Sequence, residues 1–210
     1  ALTEHKTSIN SFMELSDGKL LSWGSTLRFF LWDKEGNLLK TLSKHTDFVR
    51  GVIELRNRKI LSWSADKTLC LWDSDGNLLI QFEDQSSGVG GAIELPDGRI
   101  LSYDSDFNFG YGEYNLYLRS AKGNLIKRMQ GHSASITTVT ILQDGSFLSS
   151  SYDHSLRLWD SDGNLLKNFS GHSGTIFGIG ELPNGRIISA GYDRNLCFWD
   201  RNGIPYDVRL

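Results

Sequence analysis

A nine-residue string, LWDSDGNLL, runs from Leu71 to Leu79 and recurs letter for letter from Leu158 to Leu166. Weaker copies begin at Leu31, Leu118 and Phe198. The turn glycines of the five copies, Gly36, Gly76, Gly123, Gly163 and Gly203, are spaced 40, 47, 40 and 40 residues apart. A period of this length restricts a chain to stacked supersecondary units, each too small to bury its own apolar face, so that neighbours must build a shared core.

Other columns keep the same register. His5, His45, His132 and His172 each stand 27 residues before position 32, 72, 159 or 199, all of them Trp, and Gln85 fills the remaining slot. Ser22, Ser62, Ser102, Ser149 and Ser189 form an unbroken column, as do Leu15, Leu55, Leu95, Leu142 and Leu182. Within the second unit the apolar alternation predicts strands over Val49 to Leu55, Ile60 to Ser64, Thr68 to Trp72 and Leu78 to Phe82, separated by polar turns. No segment carries an apolar stripe at helical period. Four short antiparallel strands in about 40 residues make one propeller blade. The chain is therefore expected to be all-β, a β-propeller of five four-stranded blades, either a closed ring or an arc of a larger propeller. The expected blades lie near residues 5–44, 45–84, 85–131, 132–171 and 172–210 of a single domain.

Composition narrows the function. The 22 Lys and Arg against 25 Asp and Glu give a net charge of −3, which argues against a binder of nucleic-acid backbone. No apolar run reaches the roughly 18 residues of a membrane span, and no signal-like stretch opens the chain, so no membrane role and a cytoplasmic location are expected. Only Cys70 and Cys197 occur, three blades apart in one strand-three column, which fits packed thiols better than a disulfide or metal pair.

The Trp-Asp pairs, the Gly-His pairs at Gly131-His132 and Gly171-His172, and the Asp before the third strand resemble the WD-repeat (WD40-type) β-propeller family, over essentially the whole chain. The resemblance implies a structural tetrad in each regular unit: His45, Ser62, Asp66 and Trp72; His132, Ser149, Asp153 and Trp159; His172, Ser189, Asp193 and Trp199. Trp brings a buried plane with one N–H to satisfy, Ser and His each donate and accept, and a carboxylate fixes the His tautomer. Three Ser-His-Asp sets suggest a hydrolase, but catalysis needs one exposed nucleophile rather than a buried copy in each blade. Two units depart. Thr26 stands where unit 1 would carry Asp, and unit 3 has Gln85 and Arg119 in place of His and Trp, plus a seven-residue insertion over 107–113.

The insertion carries Phe107, Phe109 and Tyr111 and has two readings, a binding loop or rings that repair the missing Trp. Family geometry puts the loop before strand one and the turn between strands two and three on one upper face. The variable residues there, Phe48, Arg50, Thr137, Tyr152, Thr175, Phe177 and Tyr192, are the expected partner-binding set, because exposed Phe, Tyr and Arg anchor protein interfaces. The Asp73 to Asn77 loop and its copy at Asp160 to Asn164 lack the spacing of a calcium hand and read as turns. Glu14, Glu54, Glu94 and Glu181 form a column near the end of strand one, close to the axis of a closed ring, where a cation or a pair of glycosidase acids would have to sit; no asymmetric acid pair stands out. No catalytic residue, metal or cofactor is expected.

The expected function is a non-enzymatic scaffold whose upper face binds a protein or peptide. The alternative is a ligand- or glycan-binding, lectin-like propeller with pockets between blades. Ala1 and Leu2 match Thr41 and Leu42, the tail of a fourth strand, so the chain is expected to start as if a blade preceded it, and self-association is expected if the ring is incomplete, because an open arc would leave the faces of the end units bare.

Overall fold

The structure is a computed structural model that describes residue 5, residues 7–106 and residues 114–206. Its described residues form five four-stranded antiparallel sheets and no helix. Blade 1 holds β1 (Ile9–Glu14), β2 (Leu20–Gly24), β3 (Phe29–Trp32) and β4 (Leu38–Leu42). Blade 2 holds β5 (Val49–Glu54), β6 (Ile60–Ser64), β7 (Leu69–Trp72) and β8 (Leu78–Phe82). Blade 3 holds β9 (Val89–Glu94), β10 (Ile100–Asp104), β11 (Tyr114–Arg119) and β12 (Leu125–His132). Blade 4 holds β13 (Ile136–Ile141), β14 (Phe147–Ser151), β15 (Ser155–Trp159) and β16 (Leu165–Ser170). Blade 5 holds β17 (Ile176–Glu181), β18 (Ile187–Gly191), β19 (Leu196–Trp199) and β20 (Pro205–Tyr206). Each sheet is a simple meander in chain order, and no strand pairing joins one sheet to another among the described residues. Phe107, Phe109 and Tyr111 lie outside the described residues.

By backbone contacts the chain divides into two units, Ala1–Ile93 and Glu94–Leu210, with the division inside β9. In the first unit Leu21, Trp23, Phe29 and Leu31 of blade 1 are buried in one cluster with Val49, Val52, Ile60, Cys70 and Trp72 of blade 2. In the second, Leu148, Leu156, Leu158 and Phe169 of blade 4 are buried with Ile176, Ile187 and Trp199 of blade 5. Period-two alternation thus serves both faces of a blade, one turned to the preceding blade and one to the next. The packing is close. A Cβ on Gly51 would stand 2.1 Å from the Trp63 ring, so only glycine fits beneath that indole.

The turn between strands three and four explains the repeated string. Asp73 accepts the Asn77 N–H at 2.8 Å and the Asp75 N–H at 3.0 Å on Oδ1, and Asn77 Nδ2 donates to Oδ2 at 2.8 Å. Gly76 takes φ +74°, which a side chain would strain. Asp160 and Asn164 repeat this arrangement around Gly163. The carboxylates that suggested a calcium loop are occupied in closing a turn.

Candidate functional site

In blade 2 the Trp72 indole N–H donates to Ser62 Oγ at 2.9 Å, Ser62 Oγ lies 2.9 Å from His45 Nε2, and His45 Nδ1 lies 3.0 Å from Asp66 Oδ2. Blade 4 repeats the chain through Trp159, Ser149, His132 and Asp153, and blade 5 through Trp199, Ser189, His172 and Asp193, with every link between 2.7 and 2.9 Å. An ionised carboxylate only accepts, so His Nδ1 carries the proton and donates it, and a neutral ring then accepts the Ser hydroxyl proton on Nε2. The Asp also ties down the backbone. Asp66 Oδ2 accepts the Thr46 N–H at 2.8 Å, which pins the segment before strand one to the turn between strands two and three.

Burial works to raise the Asp66 carboxyl, but hydrogen bonds from His45, Thr68 and the Thr46 N–H outweigh it and hold the group well below the usual carboxylate range. Asp153 is lowered in the same way against its own burial, and Asp193 is held down at about 2. Burial keeps the His132 imidazole below its ordinary value. These serine hydroxyls are buried and doubly engaged, so no exposed nucleophile results.

The pinned loops meet at one end of each blade, the upper end. Tyr192 N–H donates to Thr175 O at 2.9 Å, Tyr152 N–H to Ser135 O at 3.0 Å and Ala65 N–H to Phe48 O at 3.0 Å. Strand one carries a register shift at its second residue in blades 1, 2, 4 and 5, and such a bulge re-aims a side chain. Arg50 and Thr137 occupy that position, and both reach the following blade: Arg50 donates to Val89 O at 3.4 Å and Thr137 Oγ1 to Ile176 O at 2.5 Å. These two half-buried residues brace the blades. Phe177, in the same bulge of blade 5, is 51% exposed and rests against Tyr192, 73% exposed, with ring centroids 5.0 Å apart. Phe48 is also exposed, and lines a cleft of about 450 Å³ with Ser25, Thr26, Arg28, Phe30 and Thr41.

The tetrads and the five meanders meet an independent match. The family model for WD domain, G-beta repeat, matches residues 36–73, 123–160 and 163–200, more than half of the chain. The chain belongs to the WD40 family. It is similar in fold to the WD40 β-propeller domain of Doa1 (TM-score 0.70, 23% identity, 96% of this chain and 66% of that one). It is likewise similar to the computationally designed Ika8 protein (0.76, 21%, 93% and 59%) and the C-terminal WD40 domain of Sif2 (0.74, 21%, 93% and 57%). The chain thus spans less than two thirds of each of these structures. No curated protein sequence matches it. WD40 propeller domains serve in general as non-enzymatic platforms for protein interaction.

Two WD40 blades here depart from the tetrad. In blade 1, Trp32 Nε1 donates to Ser22 Oγ at 2.8 Å and His5 Nε2 lies 2.7 Å from that oxygen, but Thr26 turns its hydroxyl to Arg28 O, and His5 Nδ1 is buried with no partner among the described residues. In blade 3, Asp104 is buried at the end of β10 and accepts the Asn115 N–H at 3.1 Å, Asn115 Nδ2 at 3.3 Å and the Tyr117 hydroxyl at 3.1 Å. Arg119 is 1% exposed with its guanidinium 5.9 Å from the Tyr117 ring centroid, so a cation on an aromatic stands where other blades have indole. Asp104 was not among the expected site residues. Its signal was an acid in a column otherwise filled by Gly24, Ser64, Ser151 and Gly191.

The glutamate column also has a structural occupation. Glu54 accepts the N–H and hydroxyl of Ser16 at 2.7 Å each, and Glu181 accepts the Gln143 N–H at 2.7 Å and pairs with Arg201 at 2.7 Å. These carboxylates latch one blade to the turn of the blade before it. Among the described residues no cluster of three or more His, Cys, Asp or Glu could hold a metal ion. Cys70 and Cys197 are free thiols, and burial pushes Cys70 up to about 12, which removes its nucleophilic form at neutral pH.

Proposed function

We propose that the upper ends of the blades bind a protein or peptide partner, with Phe48, Phe177 and Tyr192 as anchors and Tyr152 and Thr175 beside them. The observation that carries this reading is the exposed Phe177–Tyr192 pair, two large rings held in water by a bulge and a backbone bond. Aromatic rings fixed at low conformational cost are the residues from which interface hot spots are built. Arg50 and Thr137 act indirectly, by bracing the loops that present the anchors. Phe107, Phe109 and Tyr111 belong to the proposed surface by their place between strands two and three of blade 3. The lower turns repeat one Asp-Gly-Asn design and offer little to discriminate a partner. We place this platform in the cytoplasm, where free thiols such as Cys70 and Cys197 stay reduced.

Once a partner is captured, the triple variant Phe48→Ala, Phe177→Ala and Tyr192→Ala should lose binding at unchanged thermal stability, while Asp75→Ala with Asp162→Ala on the lower turns should bind normally. Normal binding by the triple and failure of the lower pair would put the site at the other end. The Phe48 cleft, with its hydroxyls and aromatic walls, favours a second reading as a small-ligand or glycan pocket. A glycan array that labels the chain and loses its signal in Phe48→Ala would establish that reading instead.

A further inference from the structure

The third strand of each blade sets one residue opposite the serine of the conserved column. Phe30, Cys70, Tyr117, Arg157 and Cys197 pair with Ser22, Ser62, Ser102, Ser149 and Ser189. Arg157 alone brings a charge to this column at neutral pH. Its guanidinium lies against Gly131 of β12, where a Cβ would collide with Nη1, so glycine makes the room for it. The side chain is half-buried, and among the described residues it donates no hydrogen bond and enters no ion pair. The Nε–H is buried without an acceptor, while the terminal nitrogens reach the surface. Asp153, the nearby acid, is engaged elsewhere. It accepts His132 Nδ1 at 2.8 Å, the Ser133 N–H at 3.0 Å, the Ser155 N–H at 2.9 Å and the Ser155 hydroxyl at 2.6 Å. Burial lowers the guanidinium below its ordinary value, and only the charge of Asp153 opposes this. A cation drawn out of water with no acceptor costs free energy that an incoming anion offsets.

We propose that Arg157, with Asn168 and Ser170 beside it, is an anion site that takes a carboxylate, the side chain of an Asp or Glu in the partner. On β16, Asn168 pairs with Arg157 and Ser170 with Ser155, and residues paired across strands share a face. Both side chains are exposed, and among the described residues neither makes a hydrogen bond. An amide N–H and a hydroxyl thus stand ready next to the guanidinium, on the outermost strand of the blade 4 sheet. Charge selects the ligand. The site offers one guanidinium, and burial holds the His132 imidazole beside it in the neutral form. A singly charged carboxylate matches that single cation and the paired N–H donors of arginine, whereas a doubly charged phosphate would be left one charge short. The inference rests on the upper ends as the protein-binding surface, because that surface supplies the source of the carboxylate. The site adjoins it through Asp153, which holds the upper turn of blade 4 to the loop at Ser133.

The site is tested first without a partner. The Arg157 Nε–H resonance, assigned by its loss in Arg157→Lys, is followed as sodium acetate is added, with sodium chloride at equal ionic strength as the control. It should shift along a saturation curve in acetate and stay in place in chloride, and Asn168→Ala should weaken acetate at least twofold. A resonance that acetate moves no further than chloride would overturn the site. With a captured partner, Arg157→Gln should weaken binding at least tenfold at an unchanged unfolding temperature. That loss should disappear when the contacted acid of the partner is replaced by its amide. Normal binding by Arg157→Gln, with binding lost in the Phe48, Phe177 and Tyr192 triple, would overturn this inference and leave the upper surface standing. Acetate bound at Arg157, with normal partner binding by the triple, would support the site and overturn the upper surface as its context.

Discussion

In blade 4 the Trp159 indole, Ser149, His132 and Asp153 link strands two and three to the incoming loop in one chain of hydrogen bonds. Blade 3 keeps the serine, Ser102, but gathers Asn115, Tyr117 and a buried acid, Asp104, on the same two strands, with Arg119 over the tyrosine ring. Both arrangements are buried and both give a carboxylate several donors. Blades 3 and 4 thus each close a polar clasp across their second and third strands, and the four family residues are one way to build it. A buried carboxylate stripped of its donors, or a donor stripped of its carboxylate, costs more than the clasp itself contributes.

The largest expected effect is Trp159→Ala, which opens a cavity and leaves Ser149 without its donor, at a cost of about 3–5 kcal/mol read from denaturant unfolding. Loss under 1 kcal/mol would mean that the indole is not what fills blade 4. Asp104→Ala in blade 3 removes the acceptor shared by the Asn115 N–H, Asn115 Nδ2 and the Tyr117 hydroxyl at a fully buried site and should cost about 2–3 kcal/mol. A neutral result there would make the Asp104 cluster incidental and the comparison empty.

Acid separates the two blades without mutation. The His132 imidazole is lowered in the folded state, so unfolding takes up protons and stability declines once the pH falls below the ordinary histidine value of 6.5. Asp66, Asp153 and Asp193 are lowered carboxylates, whose contribution is complete above the ordinary value of 3.8 and is lost as the pH falls through their folded values, about 2 for Asp193. Amide protection factors should therefore fall between pH 7 and pH 5 in β14 and β15 by more than in β10 and β11, where Gln85 stands in place of the histidine. An equal fall would remove the distinction. The smallest effect is a gain. Thr26→Asp supplies the missing acceptor for His5 Nδ1 and should stabilise blade 1 by about 1 kcal/mol; no gain would show that this nitrogen finds its partner elsewhere.

The strands were legible because period-two apolar runs alternate with polar turns. The expected second strand, Ile60 to Ser64, and fourth, Leu78 to Phe82, coincide with β6 and β8, and the first and third differ from β5 and β7 by one residue at an end. Phe48, Phe177 and Tyr192 were legible as exposed aromatics because they vary where the core columns do not. Arg50 and Thr137 vary for a different reason, since each braces a neighbouring carbonyl, and a sequence does not show which carbonyl lies within reach of a bulge. The glutamate column pointed to a ring axis because its partner, a turn N–H in another repeat, carries no side-chain signature. Asp104 stayed hidden because its column holds small residues elsewhere, and its meaning depends on Asn115 and Tyr117 across the hairpin.

The central functional claim is that the partner meets the upper ends of the blades. Hydrogen–deuterium exchange of the complex against the free chain tests it most directly. Protection on binding should appear at residues 46–50, 152–154, 173–177 and 191–194 and be absent from the lower turns at 73–77 and 160–164. Protection concentrated in those lower turns, with the upper segments exchanging as in the free chain, would contradict it.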